Sequence, residues 1–165
     1  MAVQLVRDVL PKLNKAGVKL FAVGIGSAES ALTFAERTGF PASQLLTDES
    51  EETDAYVALG TRNTQRDEKG KMVFEGVGSM WSERTNDAIK TRGRDDLNGV
   101  VGSLFKPGIY TPLMPKGPKA MDRTFVQGGT FIFDGSKSLF EHYDFSSGDH
   151  ADLEEVVQVA TAGPF

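Results

Sequence analysis

The chain has 165 residues, 18 of them Lys or Arg against 23 Asp or Glu, for a formal charge of −5. That length suits a single domain over residues 1–165, and an apolar share of 39% can supply one core; the acidic balance argues against nucleic acid or an anionic membrane as partner. No apolar run reaches the ~18 residues of a membrane span, and no charged start with an apolar stretch and cleavage site marks a secretory leader. The cysteine count is zero, which excludes from these residues disulfides, cysteine-ligated zinc, iron–sulfur clusters and any thiolate nucleophile.

From Met1 to Lys15, Val3, Leu5, Val6, Val9, Leu10 and Leu13 share one broad helical stripe, with Arg7, Asp8 and Lys12 largely opposite. Pro11 inside that pattern predicts a kink, and Gly17 a stop in the left-handed conformation. Lys19 to Gly26 is an almost unbroken apolar run, too short for a typical helix, and reads as a strand buried on both faces. Ser27 then offers an N-cap to a helix carrying Ala31, Leu32, Phe34 and Ala35, which Gly39 and Pro41 end. Gln44 to Thr47 reads as a short strand. Asp48, Glu49, Glu51, Glu52 and Asp54 follow and lead into a short helix ending near Leu59 and Gly60; acids there complement a helix dipole, and the helix start is preferred to a metal site.

Beyond Thr61 the patterning weakens. Arg62 to Lys71 is polar, Met72-Val73-Phe74 reads as a short strand and Ser82 to Arg92 as a helix. Pro107, Pro112, Pro115 and Pro118 are too dense for a helix or central strand, so Lys106 to Arg123, with four basic residues and one acid, reads as an extended basic surface loop. Thr130–Phe133, a turn at Asp134-Gly135-Ser136-Lys137 and Ser138–Tyr143 form a hairpin. Asp149 and Asp152 read as a capping pair for a last helix with Leu153, Val156, Val157 and Ala160 on one face. Helices alternating with a parallel-type strand, then a hairpin and a closing helix, predict an α/β sandwich.

Four stretches carry a family resemblance: Ala16–Leu20 with Val23–Ser27; Phe34-Ala35-Glu36-Arg37-Thr38-Gly39-Phe40; Asp54–Gly60; and Gln127–Phe133 with Leu139–His142 and Gly148–Asp152. They resemble the AhpC/TSA-type, peroxiredoxin-like antioxidant family. The resemblance covers roughly the first 60 and last 40 residues, and it implies a thioredoxin-like sandwich with residues 61–123 as a large insertion bearing the Pro-rich basic loop. It also implies a Cys-x-x-Cys at the start of the first helix and a central strand before it; neither is in this sequence. Serine cannot stand in for such a thiol, because its hydroxyl does not cycle through sulfenic acid and disulfide. The expectation is a redox-inactive binding or structural subunit of a larger assembly; the alternative is an N-terminally incomplete thiol oxidoreductase or peroxidase. The likeness to plant and algal members implies a plastid or another reducing compartment.

The remaining constellations give no cofactor and no metal site. Gly24-Ile25-Gly26 follows a strand, but Glu29 holds the third glycine position of a dinucleotide fingerprint and would repel a pyrophosphate, so a tight strand-to-helix turn is preferred. His142 and His150 stand near Glu141, Asp144 and Asp149 with a spacing that fits no zinc pattern. In Gly76-Val77-Gly78-Ser79-Met80 the serine is one place late for a nucleophile elbow. A protein partner is expected to meet the 61–123 segment, with Trp81, Lys106, Tyr110, Lys116 and Lys119 as its contacts; the alternatives are Trp81 packed over the core and an ordinary connecting loop over Lys106–Arg123.

Overall fold

The computed structural model describes residues 2–73, 83, 87, 119–146 and 149–163. The chain opens on one helix in three parts: α1 (Ala2–Gln4), a π-helical turn (Leu5–Val9) and α2 (Leu10–Lys15). The wide turn takes the place of a simple kink at Pro11, and the Leu10 N–H reaches back five residues to the Leu5 carbonyl. Proline lacks an N–H and its ring crowds the carbonyl four residues earlier, so widening the helix just before it relieves the clash. One extra residue in a turn rotates what precedes it by about 100°, which explains why Val9, Leu10 and Leu13 are buried as predicted while Val3 is exposed. Gly17 ends the helix at φ +75°.

Strand β1 (Ala22–Ile25) pairs in parallel with β2 (Leu45–Asp48) across α3 (Ala28–Thr38). The predicted boundaries of α3 hold. The Ser27 hydroxyl accepts the Ser30 N–H at its start, and Gly39 closes it at φ +74°. Ala22 and Leu45 share a face of this two-stranded sheet and pack on Ala2, Phe34 and Phe40. The opposite face departs from the expected doubly buried strand: Phe21, Val23 and Leu46 are 53%, 39% and 50% exposed. The described helical core covers only the Ala22 face, and an apolar run alone does not report how many layers will cover it.

The short helix α4 (Asp54–Ala58) follows β2 as expected. Met72 makes a single antiparallel bridge to Arg66 rather than a strand. The polar stretch before it turns on Asp67, whose carboxylate accepts the Lys69 and Lys71 N–H groups. Glu83 and Asp87 are helical, in keeping with a helix over 82–92; the rest of that segment, and Phe74, lie outside the described residues. The basic segment is not loop throughout, because α5 (Ala120–Thr124) occupies its end and Arg123 is buried.

The hairpin forms as read, with β3 (Gly129–Asp134) antiparallel to β4 (Lys137–Tyr143). Gly135, at φ +58°, takes the first turn position, where a side chain would be strained. The register slips between Ile132 and Phe133, leaving Leu139 as the extra residue of a bulge. α6 (Leu153–Ala160) packs on both hairpin strands and on α2 through a face centred on buried Val156. Asp152 caps it, accepting from the Glu154 and Glu155 N–H groups. Asp149 is no capping partner; it accepts the Phe145 N–H at 2.8 Å instead, closing the turn before α6. Among the described residues β1 pairs only with β2 and β3 only with β4.

Candidate functional site

The end of β2 gathers the acids. Asp48 is buried, and its carboxylate accepts the Ser50 N–H (3.0 Å) and hydroxyl through one oxygen and the Ala55 N–H (2.9 Å) through the other. It thereby supplies the first turn of α4 with the acceptor that Thr53, its N-cap at φ 56°, does not provide. Glu49 reaches back 21 residues to the Ala28 N–H at the start of α3 (2.9 Å). Glu52 pairs with Lys119 and stands 3.7 Å from the Arg66 guanidinium; the hydrogen bond from Lys119 holds its carboxyl below the usual glutamate range. Asp48, Glu49 and Asp54 thus serve helix starts and Glu52 ion pairs, which is the helix-start reading enlarged by long-range partners. Arg123 adds a guanidinium hydrogen bond to the Asp48 carbonyl (3.3 Å).

A second group lies at the open end of the hairpin. Asp144, buried at the exit of β4, has one carboxylate oxygen 2.9 Å from His150 Nδ1 and the other 3.6 Å from His142 Nε2. Asp149 stands 3.8 Å from the same His142 nitrogen. The Asp144 N–H donates to the Gly128 carbonyl (3.0 Å), so the group is fixed to the strand opposite. Spacing along the chain did not foretell this meeting, because the β4 register and the 144–149 turn jointly create it. Two imidazoles facing two carboxylates can hold and pass a proton. They cannot carry the electron pair of disulfide chemistry. Among the described residues, no three His, Asp or Glu side chains are arranged as a metal-binding group.

Between these two groups stands Tyr56 of α4, whose hydroxyl donates to the Val23 carbonyl at 2.7 Å. Burial, then the negative charges of Asp48 and Asp144, push its phenol up to about 12. Arg62 lies over the Phe145 ring, 5.2 Å from the centroid. Gly24 and Ile25 end β1, and Gly26 alone leads into the Ser27 cap, making the strand-to-helix turn tight as expected. Of the anticipated contact residues, Lys119 is engaged by Glu52 within the chain. Trp81, Lys106, Tyr110 and Lys116 lie outside the described residues.

Helices against small sheets, a parallel pair followed by an antiparallel hairpin and a closing helix, define an α/β protein compatible with a thioredoxin-like fold. The chain belongs to the AhpC/TSA antioxidant enzyme family, whose model matches residues 4–146. The matched span runs from the first helix through the 61–123 segment to the turn that holds Asp144. Neither the curated proteins nor the solved structures contain a match to it.

Proposed function

We propose that this polypeptide is a redox-inactive, peroxiredoxin-like member of its family, working by protein contact as a binding or structural subunit of a larger assembly. One observation carries the reading: a family described by its antioxidant enzymes is represented here by 165 residues without one cysteine. Peroxide reduction and disulfide exchange both need a thiolate to attack and then to be regenerated. The open face of β1–β2, with Phe21, Val23 and Leu46 exposed, supports a contact role, since contiguous exposed apolar surface commonly marks interaction sites. We assign the main contact to the 61–123 segment of this single domain, through Trp81, Lys106, Tyr110 and Lys116, with Lys119 shared between Glu52 and the partner.

A second reading rests on the same family match: a longer form with a thiol pair ahead of residue 1 is a thiol oxidoreductase or peroxidase. The experiment is one purification from the native source, read three ways. The first reading expects an intact mass of 17.9 kDa, elution in a larger complex, and no turnover of peroxide or disulfide. A heavier polypeptide with an upstream Cys-x-x-Cys and peroxide turnover replaces it with the second. A free 17.9 kDa chain with no partner removes the contact role.

A further inference from the structure

Arg66 is held in place by its backbone bridge to Met72, and the Asp67 carboxylate closes the turn just beyond it. Its side chain is only 14% exposed. Nη1 is in use, donating to the Asn63 and Gln65 carbonyls (3.2 and 3.3 Å). Nε and Nη2, the side-on edge of the guanidinium, are buried and have no hydrogen-bond partner. That edge is a two-pronged donor matched to the two oxygens of a carboxylate, and leaving it unmade in a buried place costs free energy. Glu52 faces it, with Oε2 3.7 Å from Nε, too far for a hydrogen bond. The other Glu52 oxygen is taken by Lys119. The backbone beneath Glu52 is fixed: Thr53 is fully buried in the left-handed region at φ 56°, and its hydroxyl donates to the Glu52 carbonyl (2.6 Å). Among the described residues Arg66 and Lys119 thus meet a single acid, two cations against one carboxylate in a chain of net charge −5.

We propose that Arg66 and Lys119 form a carboxylate-binding site capped from within the chain by Glu52, and that an aspartate or glutamate side chain of the protein partner displaces this cap. The site rests on the reading of the chain as a contact subunit and gives one of its contacts a chemistry. An incoming acid can turn both oxygens to Nε and Nη2, which Glu52 does not do from its anchored position. It meets the Lys119 ammonium, one-third exposed, at the same time, and it brings the negative charge that the two cations lack. Hydrogen bonds between ionised groups are shorter and stronger than neutral ones. Glu52, with half of its side chain already exposed, swings into water when displaced.

The test is fluorescence anisotropy of the full chain with a labelled, end-blocked hexaglutamate peptide, at fixed ionic strength because salt screens such contacts. Glu52→Gln, which keeps the shape of the cap and removes its charge, binds the peptide several-fold more tightly than wild type. Glu51→Gln makes the same change of net charge at an exposed neighbour and binds as wild type does. Adding Arg66→Lys to Glu52→Gln keeps the positive charge, loses the fork and returns the affinity to the wild-type level; adding Lys119→Met does the same. The Arg66 Nε–H resonance of Glu52→Gln gives an independent measure, moving downfield as peptide is added. A Glu52→Gln chain with wild-type circular dichroism and no gain in affinity overturns the proposal. So does an equal gain in Glu51→Gln, a gain that survives Arg66→Lys, or an Arg66 resonance that does not move. Mass and elution from the native source decide the subunit reading, whereas peptide binding by the pure chain decides this site, so either can fail alone.

Discussion

His150 Nδ1 and Asp144 Oδ2 lie 2.9 Å apart, tying the turn before α6 to the end of β4. Asp144 is buried there with His142 also facing it, and His142 in turn faces Asp149. A carboxylate withdrawn from water must be matched by donors; the turn delivers His150 to one oxygen of Asp144, and the other is buried beside His142 without a hydrogen bond. Replacing Asp144 strands His150 and removes the charge that faces His142. Asp144→Ala is expected to cost about 1–3 kcal/mol, and His150→Ala less, since that ring is more accessible. In a double-mutant cycle read by urea unfolding the two should be strongly non-additive; additive losses would show that the pair contributes nothing.

Gly129 looks replaceable, being exposed at the first position of β3. A Cβ there would nevertheless come within 2.6 Å of the His142 carbonyl and 2.9 Å of the Phe131 ring. That ring is itself held edge-on by Tyr143, with centroids 5.2 Å apart. The strand partner is backbone and cannot step aside, so Gly129→Ala should cost about 1–3 kcal/mol as overpacking. Gly135→Ala meets no neighbour and bears only the left-handed backbone penalty, about 1–2 kcal/mol. Thermal unfolding of both variants tests the contrast, and a separate probe such as proteolysis at the hairpin should report the first more strongly.

Asp149 and Asp152 are only three residues apart and do different work. Asp152 accepts two N–H groups at the start of α6, and Asp152→Ala should lose about 1 kcal/mol, with faster amide exchange at Glu154 and Glu155. Asp149→Ala should leave those amides protected and release that of Phe145, its own donor. Hydrogen exchange resolves the two cases residue by residue.

These contrasts show where local sequence is sufficient. The Ser27 cap, the Gly39 stop, the Gly135 turn and the α6 start are legible because each is decided by hydrogen bonds or φ values within a few residues. The pairing of Lys119 with Glu52 spans 67 residues, and Glu49 on Ala28 spans 21; charge patterning names the ions without naming their partners. Asp149 was legible as an acceptor and not as the acceptor of Phe145, since an Asp near a helix start fits two hydrogen-bond patterns. The openness of β1 escaped for another reason. Apolar residues state what they would gain by burial, but whether a second layer arrives depends on the neighbours, and the described core settles on the Ala22–Leu45 face alone.

Tyr56 gives the protein an alkaline limit with a definite sign. Its phenol is pushed from 10.0 to about 12, mainly by burial and then by Asp48 and Asp144, so the folded state favours the neutral form. An acid whose folded pKa lies above its unfolded value contributes its full stability below the unfolded value and loses it as pH rises through the folded one. The window is therefore pH 10 to 12. Within it the wild type should lose up to about 2 kcal/mol from this group, as the Val23 carbonyl loses its donor and a phenolate faces two carboxylates. Tyr56→Phe should lack that component while sharing the losses from every other group, including Tyr143, which is also raised. The difference between their urea midpoints against pH isolates it, and tyrosinate absorbance should show one phenol fewer titrating late. Parallel midpoint curves from pH 8 to pH 12 would mean that Tyr56 is not held on β1 in the way its hydrogen bond implies.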